Sequence, residues 1–100
     1  MLYVDGTSSV DFIDITVVTS TSLYNGGFIY AYDSSGTNTI NVSFTGTTTF
    51  TTIASTSGNG GTFYLDGALI TLSLAGASTV TSSYAYLKGG LAYIKNAYSF

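Results

Sequence analysis

The acidic side chains of this 100-residue chain are five aspartates, Asp5, Asp11, Asp14, Asp33 and Asp66, and its basic ones are Lys88 and Lys95. Paired carboxylates can do general acid–base work, and clustered ones can hold a hard cation through oxygen. Asp5 and Asp66 fall at equivalent points of a repeat, with Asp33 one residue displaced between them. Stacked at an inter-strand spacing of ~4.8 Å, the three would form a column, which makes them the candidate calcium ligands. Turn aspartates commonly bond their own backbone instead, and that is the expectation here, with no metal site. The chain has no His, Cys, Glu or Arg. Zinc sets and nucleophilic triads therefore have no parts to be built from. Its glycine pairs match no phosphate-binding loop. The expectation is a protein that is not an enzyme and carries no cofactor.

Those aspartates are spaced by a repeat. "NGGFIYAYD" from Asn25 returns as "NGGTFYLDG" from Asn59 and "KGGLAYIKN" from Lys88, and the opening "MLYVDG" is the same phrase without its glycines. Tyr3, Tyr30, Tyr64 and Tyr93 mark it. A second phrase reads "IDITV" from Ile13, "INVSF" from Ile40 and "ITLSL" from Ile70, and a third carries Thr19-x-Thr21, Thr49-x-Thr51 and Thr79-x-Thr81. Alternation of apolar and polar residues inside each phrase has the period of a strand. Leu2, Ile29, Phe63 and Ala92 fall on one side with Val4, Ala31, Leu65 and Ile94, and the tyrosines fall on the other. In the second phrase Ile13, Ile15 and Val17 align with Ile40, Val42 and Phe44, then with Ile70, Leu72 and Leu74. In the third, Phe50 and Val80 point inward, with Ser20 a weak match.

Three short strands in each unit of about 30 residues predict one coil of a parallel β-helix. The fold class expected is all-β, a right-handed solenoid of three to four coils, the hand following the general rule for parallel crossovers. A single unit spans residues 1–100, with coils near 1–25, 26–59, 60–88 and a partial 89–100. Gly26-Gly27, Gly60-Gly61 and Gly89-Gly90 make the corners, since glycine takes the positive φ of a tight turn. Open solenoid ends present unpaired strand edges, so the expectation is a segment of a longer array or a unit that stacks end to end.

Composition narrows the partners. A net charge of −3 offers no basic footprint for nucleic acid. No apolar run reaches the ~20 residues of a membrane span. Only 7% of residues are charged, so the surface needs either glycans or a neighbour to stay soluble.

The Gly-Gly-x-x-Tyr phrase, through Gly26-Gly27, Gly60-Gly61 and Gly89-Gly90, resembles the repeats of polymorphic outer membrane proteins. More widely it is similar to the pectin-lyase-like right-handed β-helices of secreted adhesins and protist surface proteins. The resemblance implies an extracellular or cell-surface location and a structural or adhesive role. That superfamily also holds pectate lyases, which need an arginine or lysine base and a carboxylate cluster for calcium, and polygalacturonases, which need a carboxylate acid and base; this chain offers five aspartates and no arginine.

Three outward features remain as candidate surfaces. Asn41-Val42-Ser43 is an N-glycosylation sequon. Tyr3, Tyr30, Tyr64 and Tyr93, with Phe28 beside them, form an aromatic stripe fit for ladder stacking, for packing between fibres or for sugar. The column of Thr19, Thr21, Thr49, Thr51, Thr79 and Thr81 resembles the flat threonine arrays of ice-binding solenoids. The function expected is a non-catalytic extracellular β-solenoid that forms or belongs to a filament, its partners being further copies of itself and covalent glycans or polysaccharide. The alternative is a module that binds polysaccharide or ice through the Tyr or Thr face.

Overall fold

A computed structural model describes residues 1–96, and every regular element in it is a strand. The first coil runs β1 (Leu2–Asp5), β2 (Ser8–Ile13), β3 (Thr16–Val17) and β4 (Ser20–Ser22). The second repeats the order as β5 (Ile29–Tyr32), β6 (Ile40–Thr45), β7 (Thr47–Phe50) and β8 (Ile53–Ser55). The third follows as β9 (Phe63–Asp66), β10 (Ile70–Leu74), β11 (Ala77–Val80) and β12 (Ser83–Ala85), and β13 (Ala92–Lys95) begins another turn. Like strands of successive coils pair in parallel. They make four sheets, β1-β5-β9-β13, β2-β6-β10, β3-β7-β11 and β4-β8-β12. The molecule is a parallel β-solenoid of about three turns. Each turn has a fourth strand that the three phrases do not announce.

The first sheet follows the expected register, Tyr3 on Tyr30 on Tyr64 on Tyr93. The glycine pairs explain why this register is fixed. Gly26, Gly60 and Gly89 all sit at φ between 67° and 69°, where a side chain is strained. Their partners Gly27 and Gly61 do a different job. A Cβ on Gly27 would strike the carbonyl oxygen of Gly61, and one on Gly61 that of Gly90. The first glycine turns the chain, and the second lets coils close to strand spacing at the corner.

The second sheet departs from the expected register in the first coil. Val10 and Phe12, not Ile15 and Val17, lie on Val42 and Phe44. Ile13 pairs with Thr45 and is 71% exposed. The cause is Asp14, at φ 51°, which occupies the left-handed corner that Gly46 and Gly76 hold in the next coils. Aspartate tolerates that conformation better than most side chains. "IDITV" therefore bends around a corner instead of forming a strand. The error carries forward: Thr16 and Val17, not Thr19 and Ser20, pair with Thr49 and Phe50, while Thr21 pairs with Ala54 in the fourth sheet.

The core is filled by the inward columns. Ile29, Ala31, Ile40, Phe44, Phe63, Leu65 and Ile70 are wholly buried. Phe44, Phe50 and Phe63 meet edge to face with centroids 5.6–5.7 Å apart, a favoured aromatic geometry.

Candidate functional site

Alternation in the first sheet places the tyrosines on its outer side, where they stack into a ladder. Centroids stand 5.2 Å apart for Tyr3–Tyr30, 4.9 Å for Tyr30–Tyr64 and 5.2 Å for Tyr64–Tyr93. Exposure falls from 50% at Tyr3 to 8% at Tyr64, which is covered on both sides. Burial, with the Asp66 carboxylate nearby, pushes the Tyr64 hydroxyl up to about 12. Phe28 does not belong to this stripe. It packs inward against Phe12, Phe44 and Phe50, and its counterpart Thr62 is wholly buried.

The threonine face also changes membership. Thr49 and Thr79 lie in one column of the third sheet, but Thr16 completes it. Thr47 precedes Thr49 on the same side, and Thr51 and Thr81 continue that side beyond the strands. Thr19 and Thr21 lie outside this array.

The aspartates have local partners. Asp33 Oδ1 accepts from the Ser35 hydroxyl at 2.6 Å, the Ser35 N–H at 3.1 Å and Asn38 Nδ2 at 3.1 Å. Its Oδ2 accepts from the Asn38 N–H at 3.0 Å. The Ser35 hydroxyl bond is the largest cause holding the Asp33 carboxyl down at about 2; burial opposes it, and the Asn38 bonds and the Ser35 N–H assist. Asp5 accepts from the Gly6 N–H at 2.7 Å, and Asp66 faces Lys95 at 3.6 Å and Asn96 at 3.0 Å. Asp5 and Asp66 flank Tyr32 in register, so the column is interrupted where Asp33 has moved into its loop. Among the described residues no three metal-ligating side chains come together. Asn41 stands exposed between Ser9 and Thr71, and the hydroxyl of its sequon Ser43 donates to Asp11.

The two ends of the solenoid are the surface that sequence reasoning placed but did not describe. The molecule measures 34 × 31 × 17 Å. Three to four layers at ~4.8 Å match the shortest dimension, so the described chain is a disc with two broad open ends. One end carries half-buried Leu2, Val10, Phe12, Ile15 and Val17. The other carries Leu74 at 37%, Val80 at 38% and Ile94 at 39% exposure. All of these continue inward columns that are closed in the second coil. Among the described residues, every exposed large apolar side chain lies within residues 1–24 or 69–94, and none within the second coil. The alternation of Val10 and Phe12 in "SSVDF" was the available signal for the first end.

Comparison with protein-family models, with curated proteins and with solved structures finds no match.

Proposed function

We propose that this chain is a non-catalytic structural β-solenoid of the cell exterior, which forms or belongs to a filament by stacking coil on coil. The observation that carries the reading is that the inward columns stand open at the two ends, at Val10, Phe12 and Val17 and at Leu74, Val80 and Ile94, while they are closed in the second coil. Each end measures 34 × 31 Å across, roughly 800 Å² of face, about what one partner contributes to a stable interface. Among the described residues, a row of strands at each end also has one edge unpaired, the arrangement that recruits another strand. A neighbouring coil would satisfy both at once, with the backbone ladder supplying register and the inward columns supplying burial. Glycans on Asn41 and on the threonine surface would then keep the sides of the filament apart. The adhesin-like repeat phrase agrees with this role.

Negative-stain microscopy with pelleting and intact mass of material from the native source tests the reading. Rods that pellet, with mass above 10.4 kDa in sugar-sized steps, are expected. Dispersed particles of the bare chain mass at every concentration contradict it.

A further inference from the structure

Tyr30 and Tyr64 are the two inner rungs of the tyrosine ladder, each with a ring on either side. They pair in parallel register, so both side chains leave their strands in the same direction and like edges of the rings come together. Their centroids, 4.9 Å apart, are the closest of the ladder. The corner just before them keeps that spacing. Gly27 donates its N–H to the Gly61 carbonyl at 2.9 Å, and a Cβ on Gly27 would strike that oxygen. The chain has no cysteine or tryptophan and one methionine, so tyrosines are its main oxidisable side chains. Tyr30 is partly exposed and within reach of an oxidant, while Tyr64 is covered but meets it ring to ring. The Tyr64 hydroxyl donates to Asp66 Oδ2 at 3.5 Å. A base therefore stands ready for the proton that a phenol gives up when it loses an electron. The conspicuous tyrosines elsewhere lack this arrangement. Tyr24, Tyr84 and Tyr86 are more than half exposed, but Tyr84 lies over Ala54, and none of the three has a ring beside it among the described residues. Tyr32 also stacks on Tyr30, at the longer distance of 6.1 Å.

We propose that Tyr30 and Tyr64 are a site of oxidative coupling, joined as dityrosine by a peroxidase-type oxidant with hydrogen peroxide, and that the link staples the second coil to the third. Each phenol gives up one electron and one proton, and a carbon–carbon bond forms between the ring carbons ortho to the two hydroxyls. The hydrogens on those carbons then move to the phenol oxygens, which restores both rings. The electrons and protons released break the O–O bond of the peroxide and leave as two waters. Proximity set by the ladder replaces the chance encounter that such coupling otherwise needs. The link closes the chain between the two coils and so limits the freedom of the unfolded state. It needs no neighbour at either end of the solenoid and is independent of the filament reading.

Dilute full chain treated with a haem peroxidase and hydrogen peroxide should stay monomeric, lose the mass of two hydrogens and gain the blue fluorescence of dityrosine. After unfolding, cleavage ahead of aspartate releases residues 14–32 and 33–65, and Tyr64 is the one tyrosine of the second piece. The two pieces should come off joined. Tyr30→Phe and Tyr64→Phe keep the stacked ring but lack the phenol, and each should abolish the joined pair. Tyr24→Phe and Tyr32→Phe should leave it. Gly27→Val, which wedges the corner apart, should lower its yield on the order of tenfold. The proposal is overturned by an unreacted chain or by links between chains alone. It is equally overturned by a mass loss confined to 14–32, by 33–65 joined to 66–100 instead, by a joined pair that survives Tyr30→Phe, or by full yield in Gly27→Val.

Discussion

The second and third coils carry the same columns, yet they are different kinds of surface. Phe44 and Phe50 are buried to within 1%, while Leu74 and Val80, next to them in register, stand more than a third exposed. The residues are similar in character, and what differs is the number of neighbours. A coil of this fold cannot close its own core. It borrows one face from the coil before and one from the coil after, so stability is shared between neighbours and is not held within a unit. The first coil repeats the lesson at the other end, with Val10 and Phe12 half-buried over the closed Val42 and Phe44.

Substitutions at matched positions sharpen this contrast, beginning with the corner glycines. Gly61→Ala forces a methyl into the Gly90 carbonyl, whereas a Cβ on Gly90 meets nothing nearer than Ser83 at 3.7 Å. Gly61→Ala is expected to cost ~3 kcal/mol or more, and Gly90→Ala only a few tenths, by thermal unfolding. Similar losses at both would break the comparison. Next comes the column itself. Phe44→Ala should cost ~3–5 kcal/mol. Leu74→Ala, on the open end, should cost ~1 kcal/mol in the isolated chain and more once assembled.

A smaller effect of opposite sign is expected at Thr48, whose buried hydroxyl has no partner among the described residues. Its column neighbours are Ile15 and Ser78. Thr48→Val keeps the shape and removes the unsatisfied group, so it should stabilise by ~1 kcal/mol in denaturant titration. The last effect is a pH dependence. Asp33 has its carboxyl lowered from 3.8 to about 2, so its hydrogen bonds contribute stability that is complete above pH 4 and is lost as pH falls toward 2. A carbon-detected titration of Asp33 should show that midpoint, and Asp33→Asn should flatten the corresponding acid limb of stability.

Much of this architecture was legible because glycine and tyrosine leave strong marks. The Gly-Gly pairs and the Tyr column fixed the first sheet residue for residue, and the apolar alternation of Ile40–Phe44 and Ile70–Leu74 fixed two strands of the second. The first coil misled because Asp14 takes a corner that glycine holds elsewhere, and because the links after the first-sheet strands differ in length. Gly6 and Thr7 bridge β1 to β2, whereas residues 33–39 bridge β5 to β6. Ser8 and Ser9 then begin a strand where "IDITV" reads as the better one. The fourth strand of each coil was hidden by its brevity and its small residues. Its inward Ser22 and Ser55 bond the carbonyls of Asn25 and Tyr24, so they fill the corner by hydrogen bonding and not by apolar bulk.

Amide hydrogen exchange measured across a range of protein concentration tests the central claim most directly. Strands β6 and β7 of the second coil should exchange slowly throughout. The end strands β2, β3, β10 and β11 should exchange quickly when dilute and become as slow as β6 and β7 as concentration rises. End strands that exchange at one fast rate at every concentration would contradict the account, because the open ends would then be finished surfaces with no coil to receive.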